Sequence, residues 1–304
     1  MQIMGDLIRQ VVAFAQATNP EDRSRAQAAI SKLMGDADWP TPLEAAVPLP
    51  GTQQVLAGRD YPLRHLSDDA LAEINALLPW GGMTADLDGR SFGRFWSGEK
   101  RSNQQPLIDK RLQRFDARYP LKGAHVLEVG CFEGIHTIGA LSLGARVTAI
   151  DGRVENILKT LVRLWAYGYS ADVQLWDFEQ AESPTTVPAS WDILHHVGVL
   201  YHLTDPAGHL AALADRTERA VILDTHVAGG RFPTTKAYEA LGRSIPYAFQ
   251  AEDIVSPFAG LRDHAKWLEG SELERILTDR GFKITLSELR EERNGHRIMI
   301  WAER

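Results

Sequence analysis

Four histidines and several carboxylates in this chain stand at or just beyond the ends of apolar runs, where side chains can meet a ligand. Glu128 lies in His125-Val-Leu-Glu-Val-Gly-Cys-Phe-Glu-Gly134, Asp151 closes Arg146-Val-Thr-Ala-Ile-Asp151, and Asp177 follows Trp176. His195, His196, Tyr201 and His202 belong to one block, Asp192 to His202, and His226 ends Leu223-Asp-Thr-His226. Carboxylates at such places suit a ligand that offers hydroxyls or positive charge. Histidine is the side chain whose proton moves near neutral pH, so a histidine beside a ligand is a candidate base. His202 and His226, with Tyr201 beside them, are the candidate catalytic residues. His195 and His196 read as buried, hydrogen-bonded histidines. Asp224 and His226 offer a metal two ligands without a clear third, so no metal is expected.

These residues need a scaffold of alternating strands and helices. A strand, a glycine turn, a helix and a second strand ending in an acid make a nucleoside-binding half of an α/β sheet. Strands are predicted near 125–130, 146–151, 172–176, 191–197 and 220–225, with helices between them. That alternation predicts a mostly parallel sheet with its ligands at the carboxyl ends of the strands. Gly281 to Leu286 and His296 to Trp301 flank Asn294-Gly295, a strong hairpin signal, so the chain is expected to finish in an antiparallel pair. A dinucleotide site needs glycines so that the backbone can approach a pyrophosphate, and Phe132 stands in the middle of this turn.

The turn resembles the first motif of class I S-adenosylmethionine-dependent methyltransferases, with Phe132 in place of the middle glycine. The resemblance implies S-adenosylmethionine as cofactor, on a Rossmann-like class I methyltransferase sheet. It places Glu128, Gly130, Cys131, Phe132 and Gly134 at the methionine end, and Asp151 and Gly152 at the ribose. Asp177 and Phe178 fall beside the adenine, and Val197 at the end of the fourth strand. Cys131 reads as packing in the turn. Gly198-Val-Leu-Tyr-His202, followed by Asp205-Pro206, resembles the transfer RNA wobble-uridine carboxymethyltransferase group. Leu77-Leu-Pro-Trp80, Asp88-Gly89 and Trp96 extend that likeness, which covers roughly residues 75 to 304. That group carries a lysine after its Pro-Trp, to hold the extra carboxylate of a carboxylated cofactor. Here Gly81-Gly82-Met83 follows Trp80, which favours ordinary S-adenosylmethionine.

The rest of the chain sets the context. Residues 1–80 read as a proline-punctuated helical N-terminal extension that packs or dimerises. Residues 81–122 read as a linking or cover segment, and 123–304 as the methyltransferase domain. Residues 227–268, which include Tyr238, Arg262 and Trp267, form a long insertion read as a substrate wall or lid. The chain has 304 residues, a net charge of -7 and one cysteine. Such a charge argues against a nucleic-acid partner, and the single cysteine fits a cytoplasmic setting. The N-terminus lacks a secretory pattern and no run is long enough to span a membrane, so no membrane partner is expected. The expected function is methyl transfer to a hydroxyl or amine of a small molecule, such as a natural product or a sugar. The alternatives are a transfer RNA-modifying enzyme, a noncatalytic cofactor-binding scaffold, and a nicotinamide dehydrogenase, against which Phe132 argues.

Overall fold

A computed structural model describes residues 48–94, 104–180, 183–256 and 258–304, together with helical Glu21, Arg25 and Ala29. Most of the expected N-terminal helices, and with them the expected dimer contact, lie outside the described residues, as do Phe95, Trp96, Lys100 and Arg101. The chain divides into two compact units. One holds residues up to Gln113 with Cys131–Ser142 and Arg153–Val173; the other holds Arg114–Gly130, Leu143–Gly152 and Gln174–Arg304.

In the first unit, short helices α1 (Thr52–Leu56), α2 (Pro62–His65) and α3 (Asp68–Leu77) lead into a two-stranded hairpin. Ser67 caps α3 by accepting from the Ala70 amide at 3.2 Å, which satisfies one of the helix's orphan donors. Strands β1 (Thr84–Ala85) and β2 (Ser91–Phe92) pair across a turn in which Asp86 Oδ1 accepts from Asp88 N at 3.0 Å and Arg90 N at 2.9 Å. The next helix, α4 (Lys110–Arg118), runs across the boundary of the two units, and strand β3 (His125–Val129) follows it.

Helix α5 (Ile135–Ser142), strand β4 (Arg146–Asp151), helix α6 (Val154–Ala166) and strand β5 (Asp172–Leu175) come next. Strand β6 (Trp191–Val197) ends in a single 3₁₀ turn over Leu200–His202, and α7 (Pro206–Asp215) leads to β7 (Thr217–His226). Asp205 caps α7 by accepting from Gly208 N at 3.0 Å, with Pro206 at the first position. The order in the main sheet is β11-β12-β7-β6-β3-β4-β5. Its central pairs β4/β3, β3/β6 and β6/β7 are parallel. The apolar runs of β3 and β6 are buried along almost their whole length, as expected of strands in a parallel sheet. This is the expected Rossmann-like arrangement. The chain leaves β3 towards β4 and later returns to β3's other side as β6, which puts the topological switch point beyond Val129 and Val197.

The insertion folds as a sheet of its own, from β8 (Lys236–Ala240), β9 (Arg243–Ala251) and β10 (His264–Leu268), ordered β10-β9-β8 and antiparallel throughout. After α8 (Gly270–Thr278), the chain ends in the expected antiparallel pair, β11 (Lys283–Glu292) and β12 (Gly295–Glu303). The hairpin turn differs in detail. Glu292 faces Gly295, so Arg293 and Asn294 form the connection and Gly295 opens β12 with φ 113°. Leu127, Ile150, Leu194, Val221, Leu223 and Ile300 form the centre of the second unit's core, against Leu210 and Leu213 of α7 and Ile276 and Leu277 of α8.

Candidate active site

The sheet's carboxyl ends carry the residues expected to hold the cofactor. Glu128 on β3 and Asp151 at the end of β4 are both buried. Gly130 has φ 70°, and a Cβ there would stand 2.2 Å from Val199 Cγ2, so close approach and backbone conformation both demand glycine. Its amide donates to Ile150 O at 2.8 Å, tying the turn to β4. Leu261 packs directly on Gly152, where a Cβ would stand 2.4 Å from Leu261 Cδ1. Val197 ends β6 opposite Asp224. Asp177 accepts from Arg262 Nη2 at 2.7 Å, and Phe178 turns its ring to His209 at 5.3 Å.

Within the first unit the same turn opens α5. Gly134 N donates to Cys131 O at 2.8 Å, and Thr160 Oγ1 approaches the buried Cys131 Sγ at 3.4 Å, the packed thiol that was expected. Phe132 holds φ 52°, a left-handed conformation that costs a side-chain-bearing residue roughly 1–2 kcal/mol. The turn therefore keeps the glycine's backbone shape although the residue is not glycine. Next to it, buried Glu133 gathers the amides of Gly81 and Gly82, Arg163 Nη2 at 2.9 Å and Lys159 Nζ at 3.4 Å. This network was not foreseen. Its signal was the Glu155, Lys159, Arg163 spacing on a helix that is otherwise buried.

The candidate catalytic residues come together in the second unit. Tyr201 lies edge-on to the His226 ring at 4.7 Å, and its centroid is 4.1 Å from that of His202. Trp267 of β10 stacks on His226 at 5.0 Å and donates from its indole to Tyr201 O at 2.8 Å. His226 Nδ1 donates to His296 O at 3.2 Å. Burial first, and then the nearby Arg297 guanidinium, push the His226 pKa down, so its neutral form prevails at neutral pH. His202 Nδ1 stands 2.9 Å from Glu252 Oε1. Glu252 was not identified from the sequence; it lies at the start of the β9–β10 loop, 50 positions from His202.

Asp224 does not resemble a metal ligand. Its carboxylate is buried between Arg297 and Arg290, the latter at 2.9 Å. His196 is a buried histidine with its Nε2 2.9 Å from His209 Nε2. His209 Nδ1 faces the carbonyl of Phe178 at 3.3 Å and must donate to it, which makes His209 Nε2 the acceptor and His196 Nε2–H the donor.

A family model described as "Methyltransferase domain" matches residues 100–287, more than half of the chain. The chain belongs to this methyltransferase family. It is of the class I S-adenosylmethionine-dependent kind that its sequence motifs resemble. Among its relatives is the tRNA U34 carboxymethyltransferase of Pseudomonas paraeruginosa, 31% identical over 58% of this chain. The methyltransferase chain spans about half (53%) of that relative's length. The ubiquinone biosynthesis O-methyltransferase of Thiobacillus denitrificans is 28% identical over 62% of this chain and 78% of its own. The N-terminal domain of EvdMO1, crystallised in the presence of SAH and D-fucose, has a similar fold. Its TM-score is 0.62 at 21% identity, covering 79% of this methyltransferase and 98% of that chain. Among the described residues, no helix is long and apolar enough to cross a membrane.

Proposed function

We propose that this methyltransferase moves a methyl group from S-adenosylmethionine to a hydroxyl, in preference to an amine, of a small molecule. The observation that carries this reading is the meeting of Tyr201, His202, His226 and Glu252 beyond the ends of β6 and β7. An amine that is already neutral needs little help to react. A hydroxyl needs a base, and a histidine paired with a carboxylate is one.

The second unit's strand ends fit the cofactor. Buried carboxylates at Glu128 and Asp151 suit a cationic amino-acid end and ribose hydroxyls, and they would repel a pyrophosphate. Val199 packs directly on the Gly130 turn and Leu261 on Gly152, so both glycines keep the strand ends free of a further side chain. Cys131, Phe132 and Gly134 continue that turn, and Asp177, Phe178 and Val197 complete the proposed set. When bound, S-adenosylmethionine would supply an electrophilic sulfonium methyl group, whose carbon would bond to the acceptor oxygen as its bond to sulfur breaks and the electron pair stays on sulfur. His202 Nε2 receives the hydroxyl proton, Glu252 holds the resulting imidazolium, and Tyr201 and His226 orient the acceptor.

Ordinary S-adenosylmethionine is favoured over a carboxylated form. The first unit's buried cations, Lys159 and Arg163, are already paired with Glu133, which also takes the amides that follow Trp80. The O-methyltransferase relative and the D-fucose present with the structural neighbour support a small hydroxylated acceptor. We place the protein in the cytoplasm and expect its N-terminal extension to support a homodimer.

Calorimetry with S-adenosylhomocysteine and a nicotinamide dinucleotide in parallel tests the cofactor. Binding of the first alone is expected, and binding of the dinucleotide alone would overturn the reading. A transfer RNA arm separates the alternative suggested by the carboxymethyltransferase relative: tight, salt-sensitive binding would favour it.

A further inference from the structure

We propose that Glu252 is a positioning residue that makes His202 a base by fixing its tautomer. The inference rests on the functional reading above and deepens it. Glu252 directly follows β9, and its amide donates to Asp263 O at 2.9 Å, which closes the β9–β10 loop at its root. The side chain is thus held where two antiparallel strands part. Its two oxygens have separate tasks: Oε1 faces His202 Nδ1 at 2.9 Å, while Oε2 accepts from Gly260 N at 3.0 Å.

Gly260 also packs directly on His202. A Cβ there would stand 2.5 Å from the His202 carbonyl oxygen, so the loop backbone rests on the residue it serves. From the other side, the 3₁₀ turn is clasped by β10, where Lys266 N donates to Leu203 O at 2.9 Å and Trp267 Nε1 to Tyr201 O at 2.8 Å. His202 and Glu252 are both largely shielded from solvent, with 18% and 10% of their side chains exposed.

A carboxylate only accepts hydrogen bonds. Placed beside Nδ1, Glu252 requires the proton there and leaves the lone pair on Nε2. Free imidazole side chains favour the opposite tautomer, so the pairing has a readable consequence. When Nε2 takes a proton from the acceptor hydroxyl, the cation formed lies against the Glu252 charge. No oxidant, reductant or further reactant is needed.

The test is long-range nitrogen–proton correlation on the full chain with ¹⁵N-labelled histidine, at mildly alkaline pH. The His202 signals are identified by their loss in His202→Asn. His202 is expected with a protonated Nδ1 and a bare Nε2. Glu252→Ala should move His202 towards the Nε2–H form, and Glu252→Gln, whose amide oxygen still accepts, should keep the Nδ1–H form with its proton shifted upfield. An Nε2–H tautomer in the wild type, or an unchanged pattern in folded Glu252→Ala, would overturn the proposal. If Glu252→Ala does not fold, an unmoved Nδ1 proton in Glu252→Gln overturns it equally. S-adenosylhomocysteine calorimetry on the same samples reads the cofactor assignment separately. Failure there, with the tautomer as expected, removes the methyl-transfer reading and leaves the dyad standing.

Discussion

Gly260 and His202 meet so closely that the loop backbone has no room for a side chain: a Cβ on Gly260 would lie 2.5 Å from the His202 carbonyl oxygen. Gly260→Ala must therefore displace either the loop or the 3₁₀ turn. A stability loss of about 1–3 kcal/mol is expected from urea denaturation, the usual cost of overpacking. The same substitution should slow turnover once an acceptor is identified, with S-adenosylhomocysteine affinity far less affected.

Asp151→Ala should weaken S-adenosylhomocysteine binding at least ~10-fold by calorimetry, the loss of about 1.4 kcal/mol expected when a hydrogen-bonding carboxylate leaves a ligand hydroxyl. Unchanged affinity would remove Asp151 from the ribose assignment.

The Glu133 network supports a stability prediction. Glu133→Ala strands the fully buried Arg163 without its carboxylate and leaves the fully buried Lys159 with Glu155 at 2.6 Å. Leaving a buried charge unpaired costs roughly 3–5 kcal/mol. Urea denaturation should show a loss on that scale, with Glu133→Gln milder because its one amide oxygen still accepts from Gly81 or from Gly82. A loss under about 1 kcal/mol would mean that the network relaxes.

Arg262→Ala should behave differently. Its ion pair with Asp177 is 2.7 Å long, but the guanidinium is 38% exposed, and exposed pairs contribute only ~0–1 kcal/mol. Global stability should hardly change. Chymotrypsin cleavage after Phe258 should accelerate, because a tether of the loop is gone.

Acid should destabilise the fold before it reaches the range of ordinary carboxylates. Packing of the ring among its neighbours pushes His209 down to about 4, and burial pushes His196 and His226 down as well. These groups bind fewer protons folded than unfolded, so stability is fully present above the unfolded value of about 6.5 and falls as pH drops below it. For His209 the fall continues to about 4 and amounts to roughly 3 kcal/mol. Urea denaturation from pH 7 down to 5 checks the sign, and His209→Gln should flatten the slope.

Much of the scaffold could be read from the chain because its signals are local. The apolar runs ending in Val129, Asp151 and Val197 announced strands, and Asn294-Gly295 announced a hairpin, although the register places the turn one residue earlier. Tyr201, His202 and His226 were singled out because they stand at or just beyond strand ends. Glu252 was not, because its importance comes only from pairing across the insertion, which no short spacing encodes. Arg262 and Trp267 were noted as insertion residues, but their partners Asp177 and His226 were not foreseen for the same reason. The left-handed Phe132 was hidden differently: the sequence shows a departure from glycine, and only the backbone shows that the turn kept the glycine's shape.

The β9–β10 loop also reaches three places at once. Leu261 rests on Gly152 and Arg262 on Asp177, while Gly260 steadies Glu252 beside His202. On the proposed reading, a cofactor seated at Gly152 and the base at His202 share one stretch of chain, so lifting that stretch for one would release the other.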